Sequence, residues 1–118
     1  MNLAPVATEI ELKRKDRIFS IKFEDGAQYD LSYEFLRVHS PSAEVQGHKP
    51  SEAVLQVGKK DVGISEVNPV GNYALKITFD DGHDTGLYSW EWLYELGMNH
   101  AELWETYLEK LEAAGESR

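Results

Sequence analysis

The spacing of apolar residues changes once along this chain, and that change limits the folds open to it. Before residue 90, apolar side chains recur at every second position in several segments, as from Phe19 to Phe23 and from Tyr73 to Phe79. From Trp90 onward they recur at intervals of three and four. A period of two is typical of half-buried strands, and a period near 3.6 is typical of amphipathic helices. The pattern predicts an α+β domain: a mostly antiparallel β-sheet with short helices and a C-terminal amphipathic helix.

The alternating segments predict two groups of strands. The first group is an antiparallel meander of three strands, with the turn dipeptide Asp25-Gly26 before its last member. In the second group, one strand turns at Asp81-Gly82 and returns, and two short apolar segments before it are weaker strand candidates. The predicted strands are residues 8–13, 17–23 and 28–31, then 54–57 and 62–67, and finally 72–79 and 85–89.

Three helices are predicted. Ser32 can cap a short helix over residues 33–38, which must end before Pro41 because the residue preceding a proline is pushed out of helical geometry. A second helix over residues 90–96 is expected to end at Gly97 as its C′ residue. Asn99, with Glu102 three residues later, forms a variant capping box for the last helix.

The last helix is predicted to be amphipathic. Its apolar face consists of Ala101, Trp104, Tyr107, Leu108 and Leu111. Its opposite face carries four acidic residues and one basic residue: Glu102, Glu105, Glu109, Glu112 and Lys110.

Charge and composition exclude several classes of function. Twelve Lys and Arg residues stand against 21 Asp and Glu residues, and residues 80–118 hold ten of the acids but only two of the bases. Because a net charge of −9 repels phosphate backbones and anionic lipids, neither nucleic acid nor a membrane is expected as a partner. The chain has no cysteine, so it cannot supply a thiolate nucleophile or a cysteine-type metal site.

The organisation of the chain is simple. We expect a single domain over residues 8–113, with flexible tails at residues 1–7 and 114–118. Neither a secretory signal pattern nor an apolar stretch of membrane-spanning length is present, which predicts a soluble, cytoplasmic protein. The acidic surface and the aromatic residues together are compatible with a monomer or a weak dimer.

Two polar clusters are candidate sites. Asp80, Asp81, His83, Asp84 and Thr85 could hold a divalent ion, although the same residues are typical of a hairpin turn, which we favour. The second cluster lies in a proline-bounded loop, and we favour surface polarity with one serine acting as a helix cap. It consists of His39, Ser40, Ser42, Glu44 and His48.

Nucleophilic catalysis has weak support in the sequence. Ser40 or Ser42 could approach His39 or His83, but no G-x-S-x-G setting is present, and neither is a P-loop or G-x-G-x-x-G. The aromatic residues at the predicted strand-to-helix junction are more typical of a core or an interface than of a ligand site. These are Tyr88, Trp90, Trp92 and Tyr94.

Two long motifs carry a resemblance to a known family. Residues 36–48 (LRVHSPSAEVQGH) and residues 70–90 (VGNYALKITFDDGHDTGLYSW) resemble the gamma-butyrobetaine hydroxylase-like N-terminal domain family. The likeness covers roughly residues 8–96. In eukaryotic hydroxylases this domain precedes an iron- and 2-oxoglutarate-dependent catalytic domain, for which this chain has no room, so hydroxylation is not expected.

The resemblance also implies a zinc site that this chain has lost in part. In those hydroxylases three cysteines after a Leu-Arg pair and one histidine hold a structural zinc. The histidine matches His83, whereas the cysteine region falls on residues 40–45, which contain no cysteine. Related domains fused to P-loop ATPases that carry iron–sulfur clusters suggest an accessory role in metal or cluster handling.

Three functions follow as hypotheses. The favoured one is a non-enzymatic accessory module that binds a protein partner through Trp90, Trp92, Trp104, Glu105 and Glu109. The alternative is a site for a divalent metal, iron or zinc, formed by His83 with Asp81, Asp84 or His39. The weakest is a small enzyme with His83 as its base and Asp84 orienting it.

Overall fold

Residues 7–32 form a three-stranded antiparallel sheet. The computed structural model describes residues 5–47 and 49–118. Strands β1 (Ala7–Lys13), β2 (Ile18–Phe23) and β3 (Gln28–Ser32) lie in sequence order, which confirms the predicted meander. Ile21 on the central strand pairs with Ile10 on one side and Tyr29 on the other, so the alternating apolar residues share one face.

A second three-stranded antiparallel sheet follows. It consists of β4 (Ile64–Val70), β5 (Ala74–Phe79) and β6 (Leu87–Ser89), again in sequence order. The strand expected at residues 62–67 is therefore present but begins and ends later. The prediction of a strand at residues 54–57 is wrong. This segment has no regular structure, and Val54 and Val57 are exposed.

Helix α1 (Tyr33–Val38) has the predicted bounds, and Ser32 Oγ accepts a hydrogen bond from the Phe35 amide at 3.0 Å. The loop after it contains a one-turn helix, α2 (Ala43–Gln46), for which Ser42 is the N-cap. Gly47 ends that turn with a φ of 71°, and Pro50–Glu52 form a 3₁₀ turn. His48 lies outside the described residues.

The last two helices are α3 (Trp90–Met98) and α4 (His100–Ala114), and their junction corrects two predictions. Gly97 does not end α3 but lies inside it, where a Cβ would overlap the ring of Tyr29. Asn99 does not cap α4 with its side chain, because its amide donates backwards to the Glu95 carbonyl at 3.0 Å. A single residue joins the helices, and it serves as the C-cap of α3.

The apolar face of α4 is rotated from its predicted position. Tyr107 and Leu111 are buried, as predicted, and pack with Val38 of α1. Ala101 and Leu108 are exposed, with Leu108 39% accessible, whereas Leu103 packs against the main core. The side of α4 that packs against the rest of the domain therefore carries Leu103, Tyr107 and Leu111.

Both sheets contribute to one main core, together with α1 and α3. Among the described residues, no helix combines the length and the apolar character that a membrane crossing requires. The fold is α+β, as the sequence predicts. Its largest fully buried side chains include Phe19, Ile21, Tyr33, Phe35, Leu36, Ile77, Phe79, Tyr88 and Leu93.

Candidate functional site

A buried polar cluster joins the segment after α1 to the connection between β5 and β6. Ser40 is fully buried, and its Oγ lies 2.8 Å from His83 Nε2. The same hydroxyl accepts a hydrogen bond from the Ser42 amide at 3.2 Å. Burial lowers the pKa of His83, and the nearby Arg37 charge lowers it further, which favours a neutral imidazole at pH 7.

The cluster continues to the surface through two hydroxyls. Ser42 Oγ lies 2.6 Å from Thr85 Oγ1, and the Thr85 hydroxyl in turn donates to the carboxylate of Glu44. Gly86 allows the segment after β5 to approach Ser40 closely, because a Cβ at position 86 would lie only 2.5 Å from Ser40 Oγ. The sequence analysis does not single out Gly86. The available signal was a glycine directly beside the polar residues of the Asp80 to Thr85 cluster.

Asp81 is held by two cations. Its Oδ2 accepts hydrogen bonds from Arg37 Nε and Lys59 Nζ, each at 2.9 Å. Its Oδ1 accepts from the backbone amide of His83 at 3.1 Å. Burial alone would raise the pKa of Asp81, but these hydrogen bonds and the Arg37 charge outweigh it and lower that pKa to about 2.

The four candidate metal ligands have separate structural roles. His83 bonds to Ser40 and Asp81 to cations, whereas Asp84 is half exposed and 3.9 Å from Lys76. His39 Nδ1 instead lies 2.9 Å from the Phe35 carbonyl oxygen, and its ring packs against Phe35 and Tyr107. Within residues 5–47 and 49–118, no three His, Asp or Glu side chains come together as a possible metal site. Asp80 and Asp81 lie in a turn, and the hydrogen bond from the His83 amide to Asp81 Oδ1 lies within the same segment.

A cavity of about 530 Å³ opens where residues 38–56 meet helices α3 and α4. We call it the α4 groove. Its walls are mostly apolar, and its polar members are His39, Gln46, Gln56, Glu95, Asn99, Thr106 and Lys110. The sequence could not reveal it, because the cavity forms only where residues 38–56 contact residues 92–110, and that contact has no local signal. The apolar lining residues are Val38, Val45, Ala53, Val54, Leu55, Trp92, Leu96, Leu103 and Tyr107.

Acidic residues border the α4 groove. Glu95 of α3 lines it directly. Thr106 of α4 also lines it, and Glu102 and Glu109 lie four residues before and three residues after Thr106, so they are its neighbours on the helix surface. Glu105 and Glu112 lie further round the helix, and in the described part of the chain none of these four α4 carboxylates forms an ion pair.

The three tryptophans are half-buried and have structural contacts. The indole N–H of Trp90 donates to the Asn72 carbonyl at 2.8 Å, and that of Trp92 donates to the His39 carbonyl at 3.0 Å. The ring of Trp104 lies beneath the guanidinium of Arg118, which is 5.2 Å from the ring centroid. A part in partner binding remains a prediction for all three.

The two motif-bearing segments lie within residues 10–94, which match the model of a family described as gamma-butyrobetaine hydroxylase-like, N-terminal. The chain belongs to this family. The predicted family and the extent of the likeness are thereby confirmed.

Three solved structures resemble this gamma-butyrobetaine hydroxylase-like N-terminal domain. Two were determined by NMR in solution: one is 54% identical (TM-score 0.85, covering 100% of this chain and 90% of the other), and the second is 49% identical (TM-score 0.84, 98% and 91%). The third is a crystal structure from Acidithiobacillus ferrooxidans ATCC 23270, of a protein of unknown function in the DUF971 family. It is 35% identical, with a TM-score of 0.65 and coverage of 77% and 91%. No curated protein matches the chain.

The residues present do not fit the structural zinc that the family resemblance implies. Zinc sites of that kind need several thiolates, and the chain contains no cysteine. At the equivalent place the Ser40 hydroxyl bonds to His83, and the Ser42 hydroxyl bonds to Thr85. Neutral hydroxyls that already share hydrogen bonds do not replace thiolate ligands. In this gamma-butyrobetaine hydroxylase-like N-terminal domain, side-chain hydrogen bonds make the connection between the two segments.

Proposed function

We propose that this domain is a non-catalytic protein-interaction module whose α4 groove holds an apolar side chain of a partner with basic flanking residues. The observation that supports the proposal most directly is the pairing of an apolar groove with an acidic border. A cavity of about 530 Å³ is large enough for one or two side chains. The carboxylates of Glu95, Glu102 and Glu109 would then attract lysine or arginine residues beside the apolar anchor.

The burial of the polar cluster supports a non-catalytic role. Ser40 has no accessible surface, and His83 is only 8% exposed. A nucleophile or general base must reach its substrate, and neither group can do so without a rearrangement of α1 and the β5–β6 connection. The Ser40–His83 pair therefore serves the fold.

The charge distribution supports a basic partner. Four exposed carboxylates follow one another along α4, and Lys110 is the only Lys or Arg on that helix. Like charges at helical neighbour positions repel, so cations from another molecule would relieve that repulsion. Glu105 lies further from the groove than Glu102 or Glu109, and we expect it to contribute less.

A selection from a random peptide library tests the proposal. The full chain serves as bait, and we expect the selected peptides to share an apolar anchor residue flanked by Lys or Arg. Glu102→Lys with Glu109→Lys should weaken a selected peptide by at least about tenfold, because two attractive charges become repulsive. Val54→Asp should weaken it comparably, since Val54 lines the groove and is 56% exposed.

A matched control separates local charge from total charge. Glu11→Lys with Glu66→Lys makes the same change in net charge on exposed positions of the sheets, away from the groove. We expect the affinity of this variant for the selected peptide to fall by less than about threefold at physiological salt, because screening weakens distant charges. An equal loss in both variants, or peptides without a common anchor, would contradict the proposal.

A further inference from the structure

The side chain of Arg118 occupies a site formed by α1 and α4. Its Nη2 lies 2.7 Å from Glu34 Oε1, and its Nε lies 3.1 Å from Glu34 Oε2. The Arg118 guanidinium also lies over the Trp104 ring, 5.2 Å from the centroid. One face of the cation therefore contacts an aromatic ring while its edge bonds to both oxygens of a carboxylate.

Glu34 differs from the exposed acids of this chain because its side chain is only 5% accessible. A buried carboxylate needs a charged or hydrogen-bonding partner, since leaving it unpaired costs several kcal/mol. In the part of the chain that the structure describes, Arg118 is the cation that pairs with it. The Glu34 carboxylate thus requires a cation at this position.

The geometry selects arginine over lysine. A planar guanidinium can bond to both carboxylate oxygens and stack on an indole at the same time, whereas an ammonium group offers a point charge without the planar fork. Trp is also the aromatic side chain that binds cations most strongly. The combination of Glu34 and Trp104 is therefore suited to a guanidinium group.

The segment that carries Arg118 has few other attachments. Past the end of α4, the Glu116 amide donates to the Leu111 carbonyl at 2.9 Å, and the Ser117 carbonyl accepts one long hydrogen bond from the Gly58 amide, at 3.4 Å. The Arg118 side chain itself is 43% exposed. If another arginine replaced Arg118 in this site, the contacts with Glu34 and Trp104 would form again. Few other contacts of the Arg118 segment would be lost.

We propose that Glu34 and Trp104 form an arginine-binding site, which the chain's own Arg118 fills and which an arginine side chain of a partner protein can enter in its place. Neither Glu34 nor Trp104 lines the α4 groove, so this site is a second contact point, separate from the proposed peptide groove. Because Arg118 is tethered beside the site, it competes at a high effective concentration and weakens binding of free arginine.

The test is a titration of N-acetyl-arginine amide, followed by NMR through the indole N–H signal of Trp104. We expect saturable binding to the Arg118→Ala variant, with an affinity at least about tenfold higher than that of the unmodified chain, where Arg118 competes. N-acetyl-lysine amide should bind Arg118→Ala at least about tenfold more weakly than the arginine probe. Adding Glu34→Gln to Arg118→Ala should abolish saturable binding.

Two results would overturn this proposal. One is the lack of any saturable shift in a folded Arg118→Ala variant, and the other is equal binding of the arginine probe with and without Glu34→Gln. If Arg118→Ala does not fold, Arg118→Lys keeps a cation near Glu34, and the same titration in that variant gives the decision. A negative result here would not contradict the proposal for the α4 groove, which is tested through Glu102 and Glu109. The two proposals are therefore tested independently.

Discussion

His83 Nε2 lies 2.8 Å from the Ser40 hydroxyl, although 43 residues separate the two along the chain. This hydrogen bond joins the segment after α1 to the β5–β6 connection. Both groups are buried, and Ser40 also accepts the amide proton of Ser42. The pair therefore completes a network in which each polar atom depends on its neighbours.

Replacement of Ser40 by alanine should destabilise the fold. It leaves His83 Nε2 and the Ser42 amide without their shared partner, and an unsatisfied buried polar group costs about 1–3 kcal/mol. Urea denaturation should show this loss in the free energy of unfolding. Ser65→Ala, at an exposed position of β4, should change it by less than about 0.5 kcal/mol. Equal effects of the two substitutions would contradict the structural role of the Ser40–His83 bond.

Removal of metal ions should leave the stability of the domain unchanged. The donor set around His83 consists of hydroxyls and of a carboxylate, Asp81, that is already paired with Arg37 and Lys59. Thermal unfolding in the presence of EDTA should therefore match unfolding with added zinc or iron(II), within about 1 °C. Metal analysis of protein purified without an affinity tag gives the second measurement. A melting temperature that falls with EDTA, together with stoichiometric metal lost in His83→Ala, would instead establish the metal alternative.

Local sequence signals predicted those parts of the fold that local physics decides. The alternating segments identified the strands of both sheets, and Ser32 marked the start of α1. Aspartate–glycine turns likewise located the ends of β2 and β5. Each of these features depends on residues within a few positions of one another.

Features that depend on tertiary packing were not predictable in the same way. The sequence predicts a helix end at Gly97 because glycine is common there, yet its lack of a side chain allows close contact with Tyr29 of β3. The face that α4 buries depends on where α1 and α3 lie. For the candidate site, Ser40 and His83 were recognised separately, but a distance across 43 residues has no local signal. The contact of Arg118 with Glu34 spans 84 residues and has none either.

Gly97→Ala should lower stability, although the same change stabilises most helices. Alanine normally favours a helix by about 1 kcal/mol over glycine. Here the added Cβ would overlap Cγ and Cδ2 of Tyr29, near the fixed base of the ring. We expect a net loss of about 1–3 kcal/mol in the free energy of unfolding, as for other overpacked sites. In a Tyr29→Ala background the same substitution should be neutral or stabilising, and a stabilising effect with Tyr29 present would refute the close contact.

Asp81 should make the domain sensitive to acid. Its pKa is about 2 in the folded chain and 3.8 at its ordinary value, so the folded state binds fewer protons between those limits. The stabilisation that Asp81 provides is therefore complete above about pH 4 and is lost as the pH falls toward 2. Because Asp81 is partly exposed, solvent screening reduces the free energy that this shift represents to about 1 kcal/mol.

Comparison of Asp81→Asn with the unmodified chain isolates this effect. The difference in free energy of unfolding, measured with urea at several pH values, should be largest near pH 6 and should shrink by about 1 kcal/mol on the way to pH 2. Asp84→Asn is the matched control, since that carboxylate is 48% exposed and its ion pair with Lys76 is long, at 3.9 Å. Its difference from the unmodified chain should change far less over the same range. If the Asp81 difference stayed constant from pH 6 to pH 2, the ion pairs with Arg37 and Lys59 would not form in solution as they do in the structure.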